Sequence, residues 1–131
     1  MNTDIISECM KLSFADTPFP EVVRKLVGAG VHAYTADLIA LRNTYYGAGG
    51  ESMDESLPLV KGPPTADTFD AASIEAAVRA IQHKEIGYAE FLRQIMQAGC
   101  ASYRVFFGGR KAMYFGRDGS FYTEPFPPPA R

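Results

Sequence analysis

The chain has no tryptophan, only two cysteines and only two histidines among its 131 residues, and each shortage closes off a class of chemistry. Cys9 and Cys100 are too few for a disulfide framework or a zinc cage. Both fall on apolar positions of their segments, where a buried free thiol belongs. Neither has a base or cation beside it that would activate it as a nucleophile. His32 and His83 cannot by themselves build a histidine-rich metal site. No apolar run approaches the ~18 residues that a membrane span requires. The opening Met1-Asn2-Thr3-Asp4 lacks the basic-then-apolar layout of a signal peptide, so the cytoplasm is the expected location. No Ser-His-Asp order, metal-ligand spacing or nucleotide fingerprint is present. The stretch Tyr114-Phe115-Gly116-Arg117-Asp118-Gly119 has the glycines of a phosphate loop, but no helix follows to receive the phosphate. No metal and no cofactor is implied.

What is present describes an ordinary folded domain. Hydrophobic residues make up 47% and charged residues 21%, which is enough apolar surface to bury a core and rules out a chain held open by its charge. The net charge of −2 is unevenly spread. Residues 1–99 hold 13 acids and 8 Lys/Arg, giving −5, whereas residues 100–131 hold 2 acids and 5 Lys/Arg, giving +3. That mild basic excess suits a small anion or an acidic partner and is far short of what nucleic-acid binders carry.

The organising feature is an internal repeat. Shifted by 69 positions, residues 19–50 fall on residues 88–119 without a gap, with eight identities. They are Glu21/Glu90, Arg24/Arg93, Ala29/Ala98, Gly30/Gly99, Tyr34/Tyr103, Tyr45/Tyr114, Gly47/Gly116 and Gly50/Gly119. The same shift relates the preceding segments, where Ile5, Cys9 and Leu12 answer to Ile74, Val78 and Ile81 at amphipathic-helix spacing. Asp70 is a candidate N-cap. Phe19-Pro20-Glu21 and Tyr88-Ala89-Glu90 each open a second helix, and Gly30 and Gly99 stand where a left-handed residue closes one. The period then becomes strand-like. Val31 to Ile39, Thr44 to Tyr46 and Met53 to Val60 form one meander; Ser102 to Phe107, Lys111 to Phe115 and Phe121 to Phe126 form the other. Gly108-Gly109 and Asp118-Gly119 supply turns in the second copy. The first copy lacks the glycine pair, which predicts a longer or irregular turn near Arg42-Asn43.

The expected architecture is therefore α+β: a two-fold internal repeat of helix–helix–β-meander, with an antiparallel sheet of about six strands packed against about four helices. The chain reads as a single domain, 1–131, with repeat halves of about 1–62 and 68–131 joined by a Gly/Pro linker, Lys61-Gly62-Pro63-Pro64. Pro127-Pro128-Pro129 ends it as a stiff tail.

Candidate site residues follow from where the repeat departs from itself. Asp37 puts a charge into an apolar strand, and its repeat partner is Phe106; its parity is opposite to that of Tyr34, Ala36 and Leu38, so a solvent-facing or pairing role competes with a role in a site. His32 shares the parity of Tyr34 at the start of that strand, as a core-edge residue or a general base. The seven tyrosines are the densest constellation. Tyr34, Tyr45 and Tyr103 belong to sheet cores with a polar tip, or, with Arg104, Arg110, Lys111 and Arg117 interleaved, to a clamp for a planar or anionic ligand. Basic and aromatic strands also occur in RNA-binding sheets, but the glycine-and-aromatic motif of those domains is missing. Glu55 and Glu124 occupy equivalent strands and read as solvated.

In PEVVRKLVGAGVHAYTADL, IGYAEFLRQIMQAGCASYRVFFGGRKAMYFGRDGS and EPFP the chain resembles the YbcV-like family, a bacterial domain of unknown function some of whose members are labelled phage-envelope-like. Asp37 matches the aspartate of that family's Tyr-x-x-Asp-Leu strand, with Ala36 where valine is usual. The resemblance covers almost the full length and implies a single domain of this fold. It implies no activity and no catalytic residue.

Two readings of function remain open. One is a non-enzymatic binding or protein-interaction module whose surface is the basic aromatic meander, with a protein or small-molecule partner and a homodimer within its scope. The other is a small-molecule enzyme or ligand receptor with a site between the halves, built from Asp37, His32 and neighbouring tyrosines. A virion component rests on the family label alone.

Overall fold

The computed structural model describes residues 1–59 and 65–127. The linker Lys61-Gly62-Pro63-Pro64, the end of the third strand expected at Val60, and Pro128-Pro129 of the tail lie outside the described residues. Helix α1 (Thr3–Phe14) begins at Asn2, whose side chain accepts from the Ile5 amide. Helix α2 (Phe19–Gly28) carries Pro20 in its first turn, where a missing N–H costs nothing. Strands β1 (Ala33–Asp37), β2 (Arg42–Tyr46) and β3 (Ser52–Ser56) complete the first unit. The second unit repeats the order with α3 (Ala71–Gln82), α4 (Tyr88–Gln97), β4 (Cys100–Phe106), β5 (Lys111–Gly116) and β6 (Phe121–Pro125). Asp70 caps α3, its carboxylate accepting from the Ser73 amide and hydroxyl at 3.2 and 2.8 Å.

The six strands form one antiparallel sheet in the order β3-β2-β1-β4-β5-β6, so the two meanders join through β1 and β4. Under the 69-residue shift Thr35 becomes Arg104, and these two face each other across that junction. Tyr34 faces Val105 and Ala36 faces Tyr103, an exchange that only a twofold relation produces. A pseudo-twofold axis therefore pierces the sheet at Thr35 and Arg104. The alternation in β4, with Tyr103 and Val105 buried and Ser102, Arg104 and Phe106 half-buried, shows which face the helices cover. Helix α1 packs on α2, α3 on α4 and on β6, and α4 on β4. The core between the layers includes Ile6, Leu26, Ile74, Leu92 and Ile95 from the helices and Tyr34, Tyr45, Tyr103 and Val105 from the sheet.

Two expectations are corrected. The shift between the first helices of each unit is 68, not 69: the buried sets are Ile6, Cys9 and Met10 in α1 and Ile74, Ala77 and Val78 in α3. The second unit has one more residue between its helices, 83–87 against 15–18, and this absorbs the difference. The first hairpin turn is not longer than its counterpart either. Residues 38–41 and 107–110 are equivalent turns, and each ends in a left-handed non-glycine residue, Leu41 at φ 58° and Arg110 at φ 52°. The bent position is the last of the four, so Gly108-Gly109 is not what sets the turn.

Candidate functional site

Five of the strand tyrosines, all but Tyr46, form a continuous aromatic surface on the helix-covered face of the sheet. Ring centroids run Tyr45–Tyr34 at 5.6 Å, Tyr34–Tyr103 at 6.1 Å, Tyr103–Tyr114 at 5.3 Å and Tyr114–Tyr122 at 6.3 Å. Above this surface the helices do not meet everywhere. The start of α2, from the first unit, and the end of α3 with the start of α4, from the second, leave a cleft of about 400 Å³. Its floor is Tyr34, Tyr103, Val105, Ala112 and Tyr114; its walls include Phe19 and Val22 of α2, Val78 and Ile81 of α3, and Tyr88 and Phe91 of α4. Asp16, Lys84, Gln82, Glu124 and Phe126 also line it, as do the hydroxyl residues Ser13 and Thr17.

Polar groups in the cleft are few and most are committed. The Tyr88 and Tyr103 hydroxyls share a hydrogen bond of 2.5 Å. Asp16 accepts from the Tyr88 amide at 2.9 Å, so the first unit caps a helix of the second, where Gly87 has no side chain to do so. Glu124, expected to be solvated, is instead only 9% exposed. It accepts from Arg79 at 2.9 Å and from the Tyr122 hydroxyl at 2.7 Å. Burial pushes its pKa up, but these two bonds and the guanidinium charge outweigh that and hold the carboxyl below its ordinary value. Burial raises every phenol of the floor, Tyr34, Tyr103 and Tyr114, well above the ordinary range, and that of Tyr88 in the wall to about 12. These hydroxyls are protonated donors at any physiological pH.

The structure brings together only part of the candidate set. Tyr34 and Tyr103 are in the cleft. Tyr45 is buried beside Tyr34, its hydroxyl accepting from Asn43 Nδ2 at 3.1 Å, and it does not reach the cleft. Asp37 is exposed, and one carboxylate oxygen accepts from the Ile39 and Ala40 amides at 3.0 and 2.9 Å; it shapes the β1–β2 turn. His32 is exposed at the entry to β1. Arg104 lies on the opposite face of the sheet, 4.8 Å from the Tyr46 ring centroid and 5.3 Å from that of Phe106. Arg117 is exposed at the β5–β6 turn, donating to the Thr65 carbonyl at 3.2 Å and lying 3.6 Å from Asp67. Asp37 and His32 thus do not meet the tyrosines in one pocket. Tyr114 and Tyr88 belonged to the sequence constellation and follow from the repeat. The α2 wall, Asp16 and Lys84 gave no signal, because they line the cleft through contacts between units that no local pattern encodes.

Cys9 and Cys100 are buried free thiols, and burial raises both, Cys100 to about 12, so neither is a thiolate. Among the described residues no group of three or more His, Cys, Asp or Glu could hold a metal ion, and no helix is long and apolar enough to cross a membrane.

Fold and site together define a duplicated two-layer α+β domain with a largely apolar cleft on the inner face of its sheet. The chain belongs to the family described as "Protein of unknown function (DUF1398)", whose model matches residues 15–125, consistent with the YbcV-like resemblance of its motifs. It is 31% identical over 108 residues to the uncharacterised proteins Mb2035 of Mycobacterium bovis and Rv2012 of Mycobacterium tuberculosis. Each match covers 82% of this chain and 66% of the relative, so the chain spans a little under two thirds of their length.

Proposed function

We propose that the chain is a non-enzymatic binding module of the bacterial cytoplasm whose site is the tyrosine-floored cleft, taking a small, mainly apolar molecule. The observation that carries this is the chemistry of the lining. A space of about 400 Å³ lies within the size range of small-molecule sites, and its floor of Tyr34, Tyr103, Val105, Ala112 and Tyr114 holds no carboxylate, imidazole, amine or thiol. The phenols are locked neutral, Glu124 is held by Arg79 and Tyr122, and both thiols are buried and protonated. Buried free thiols also suit a reducing compartment.

The test is a ligand-detected NMR titration with fluorene, a neutral planar probe. Saturable binding to the intact chain is expected, and Ala112→Phe, which puts a ring onto the cleft floor, should abolish it while the circular dichroism spectrum is kept. Equal binding by the intact chain and the variant would remove the cleft from consideration.

A second reading has its own observation. On the outer face of the sheet Arg104 sits between Tyr46 and Phe106 with its Nε buried and unpaired among the described residues, and Phe121 is 60% exposed. That patch supports a protein contact, a second copy of the chain included. Sedimentation of the intact chain beside Arg104→Ala distinguishes it: a dimer that the variant weakens favours this surface.

A further inference from the structure

The two units treat their equivalent tyrosines differently, and the difference points into the cleft. In the first unit Asn43 supplies a hydrogen bond to the Tyr45 hydroxyl at 3.1 Å. Under the 69-residue shift Tyr45 becomes Tyr114 and Asn43 becomes Ala112. Tyr114 therefore occupies the same place without its partner. It is only 7% exposed and lines the cleft, and among the described residues its hydroxyl makes no hydrogen bond. Tyr34, 6% exposed, differs: its hydroxyl is hydrogen-bonded with that of Tyr103. In the Tyr88–Tyr103 pair one hydroxyl donates to the other, which leaves the second proton free to donate elsewhere. The linked Tyr34, Tyr103 and Tyr88 hydroxyls keep one proton to give, so two phenolic donors, that one and Tyr114, converge on one apolar space.

The Tyr114 hydroxyl opens onto the cleft rather than lying fully buried, and covering it with a ligand that supplies no acceptor is costly. Here the deficit is met if something in the cleft accepts. The charged lining residues are Asp16, Lys84 and Glu124. Asp16 is bound to the Tyr88 amide and Glu124 to Arg79 and Tyr122, and the floor itself holds no cation. Lys84, the one cation of the lining, is exposed beyond the end of α3, so an ionised ligand head seated on the tyrosine floor would be desolvated away from it. Resting on the cleft reading above, we infer that the site selects a neutral, planar, mainly aromatic molecule carrying a carbonyl-type oxygen, which accepts from Tyr114 and from the Tyr34/Tyr88/Tyr103 cluster.

The experiment compares three probes of one ring frame, fluorenone, fluorene and fluorene carboxylate, by NMR titration against the intact chain, Tyr114→Phe, Tyr34→Phe and Ala112→Asn. On the intact chain fluorenone should bind about tenfold more tightly than fluorene, the worth of one well-placed neutral hydrogen bond, and the carboxylate more weakly than fluorenone. Tyr114→Phe removes a hydroxyl that holds nothing in the fold, so the protein should stay folded while the preference for fluorenone shrinks; Tyr34→Phe should do the same to a lesser degree. Ala112→Asn restores the partner that Tyr45 has and should erase the preference without closing the cleft to fluorene. Equal binding of fluorenone and fluorene overturns the acceptor-selective site and leaves the cleft reading standing. Tighter binding of the carboxylate overturns the neutral-ligand inference. Absence of binding by all three overturns both.

Discussion

Asp37 shows how a residue that breaks a pattern can have a local cause. Its charge interrupts an apolar strand, and its carboxylate is committed to the Ile39 and Ala40 amides at the end of β1. Asp37→Ala should therefore lower stability by about 1 kcal/mol, the typical net worth of such bonds, as read by urea unfolding, and should leave cleft binding unchanged. Asp37→Asn keeps the acceptor and should cost less. The glycines after the second helices make a sharper comparison. Gly30 and Gly99 both adopt left-handed backbone, at φ 91° and 88°. A Cβ at Gly30 would meet only Met1, 3.6 Å away, whereas one at Gly99 would fall 2.2 Å from the Thr68 carbonyl oxygen. Gly30→Ala should cost about 1 kcal/mol in backbone strain. Gly99→Ala adds a backbone collision and should exceed about 2 kcal/mol, a difference that paired thermal melts would resolve. The left-handed need at both glycines was legible in the sequence, because an apolar helix turn precedes each. The collision was not, since Thr68 reaches Gly99 only through the tertiary fold. Asp37 stood out for the same reason that its role stayed hidden: the turn it shapes ends in left-handed Leu41, and no glycine marks it.

At the scale of elements, the link between α3 and β6 is electrostatic where its counterpart in the first unit is not. Glu124 of β6 takes bonds from Arg79 of α3 and from the Tyr122 hydroxyl of β6 at 2.7 Å, and Glu75 of α3, 3.0 Å from that hydroxyl, competes for the same proton. In the first unit Glu55 has a buried oxygen without a partner among the described residues, and Lys11, which the 68-residue shift places opposite Arg79, makes no ion pair among them. The consequence is a pH dependence of defined sign. The Glu124 carboxyl titrates below its ordinary value of 4.5, so the folded state binds its proton less readily than the unfolded chain does. The stabilisation is fully present above that ordinary value and is lost as pH falls through the depressed one. The urea midpoint of the intact chain should fall on acidification from about pH 5, and Glu124→Gln should flatten that fall while starting from a lower midpoint at neutral pH. An equal fall in both proteins would show that other carboxylates govern it. The sequence pairs Glu55 with Glu124 correctly by position. It does not show that one is bridged and the other is not, because the extra residue between α3 and α4 shifts the register by one and obscures which cation faces which acid.

For the whole molecule the decisive place is the axis between the halves. The repeat made the fold class, the element order and the pairing of equivalent tyrosines legible, since a unit with one apolar sheet face and one apolar helix stripe has to cover both. The cleft was beyond it. Its α2 wall comes from one unit and its α3 and α4 walls from the other, so its shape depends on how two units settle across the β1–β4 junction. That junction carries a specific asymmetry. A perfect repeat would set identical residues against each other at the axis, and two copies of the second unit would oppose two Arg104 side chains. The chain instead places Thr35 opposite Arg104, which leaves the guanidinium free to lie over Tyr46 and Phe106. Like charges directly opposed on a sheet are destabilising, so Thr35→Arg should cost roughly 1 kcal/mol, with the loss shrinking as salt is added. Arg104→Thr should remove the stacking without introducing repulsion and show no such salt dependence. If the salt response of Thr35→Arg matched that of the intact chain, the axis would not be where charge pairing constrains the repeat, and the divergence of the two units at that position would need another cause. If it differs as expected, the same asymmetry that lets one chain close its own sheet is the one that discourages two second units from pairing in its place.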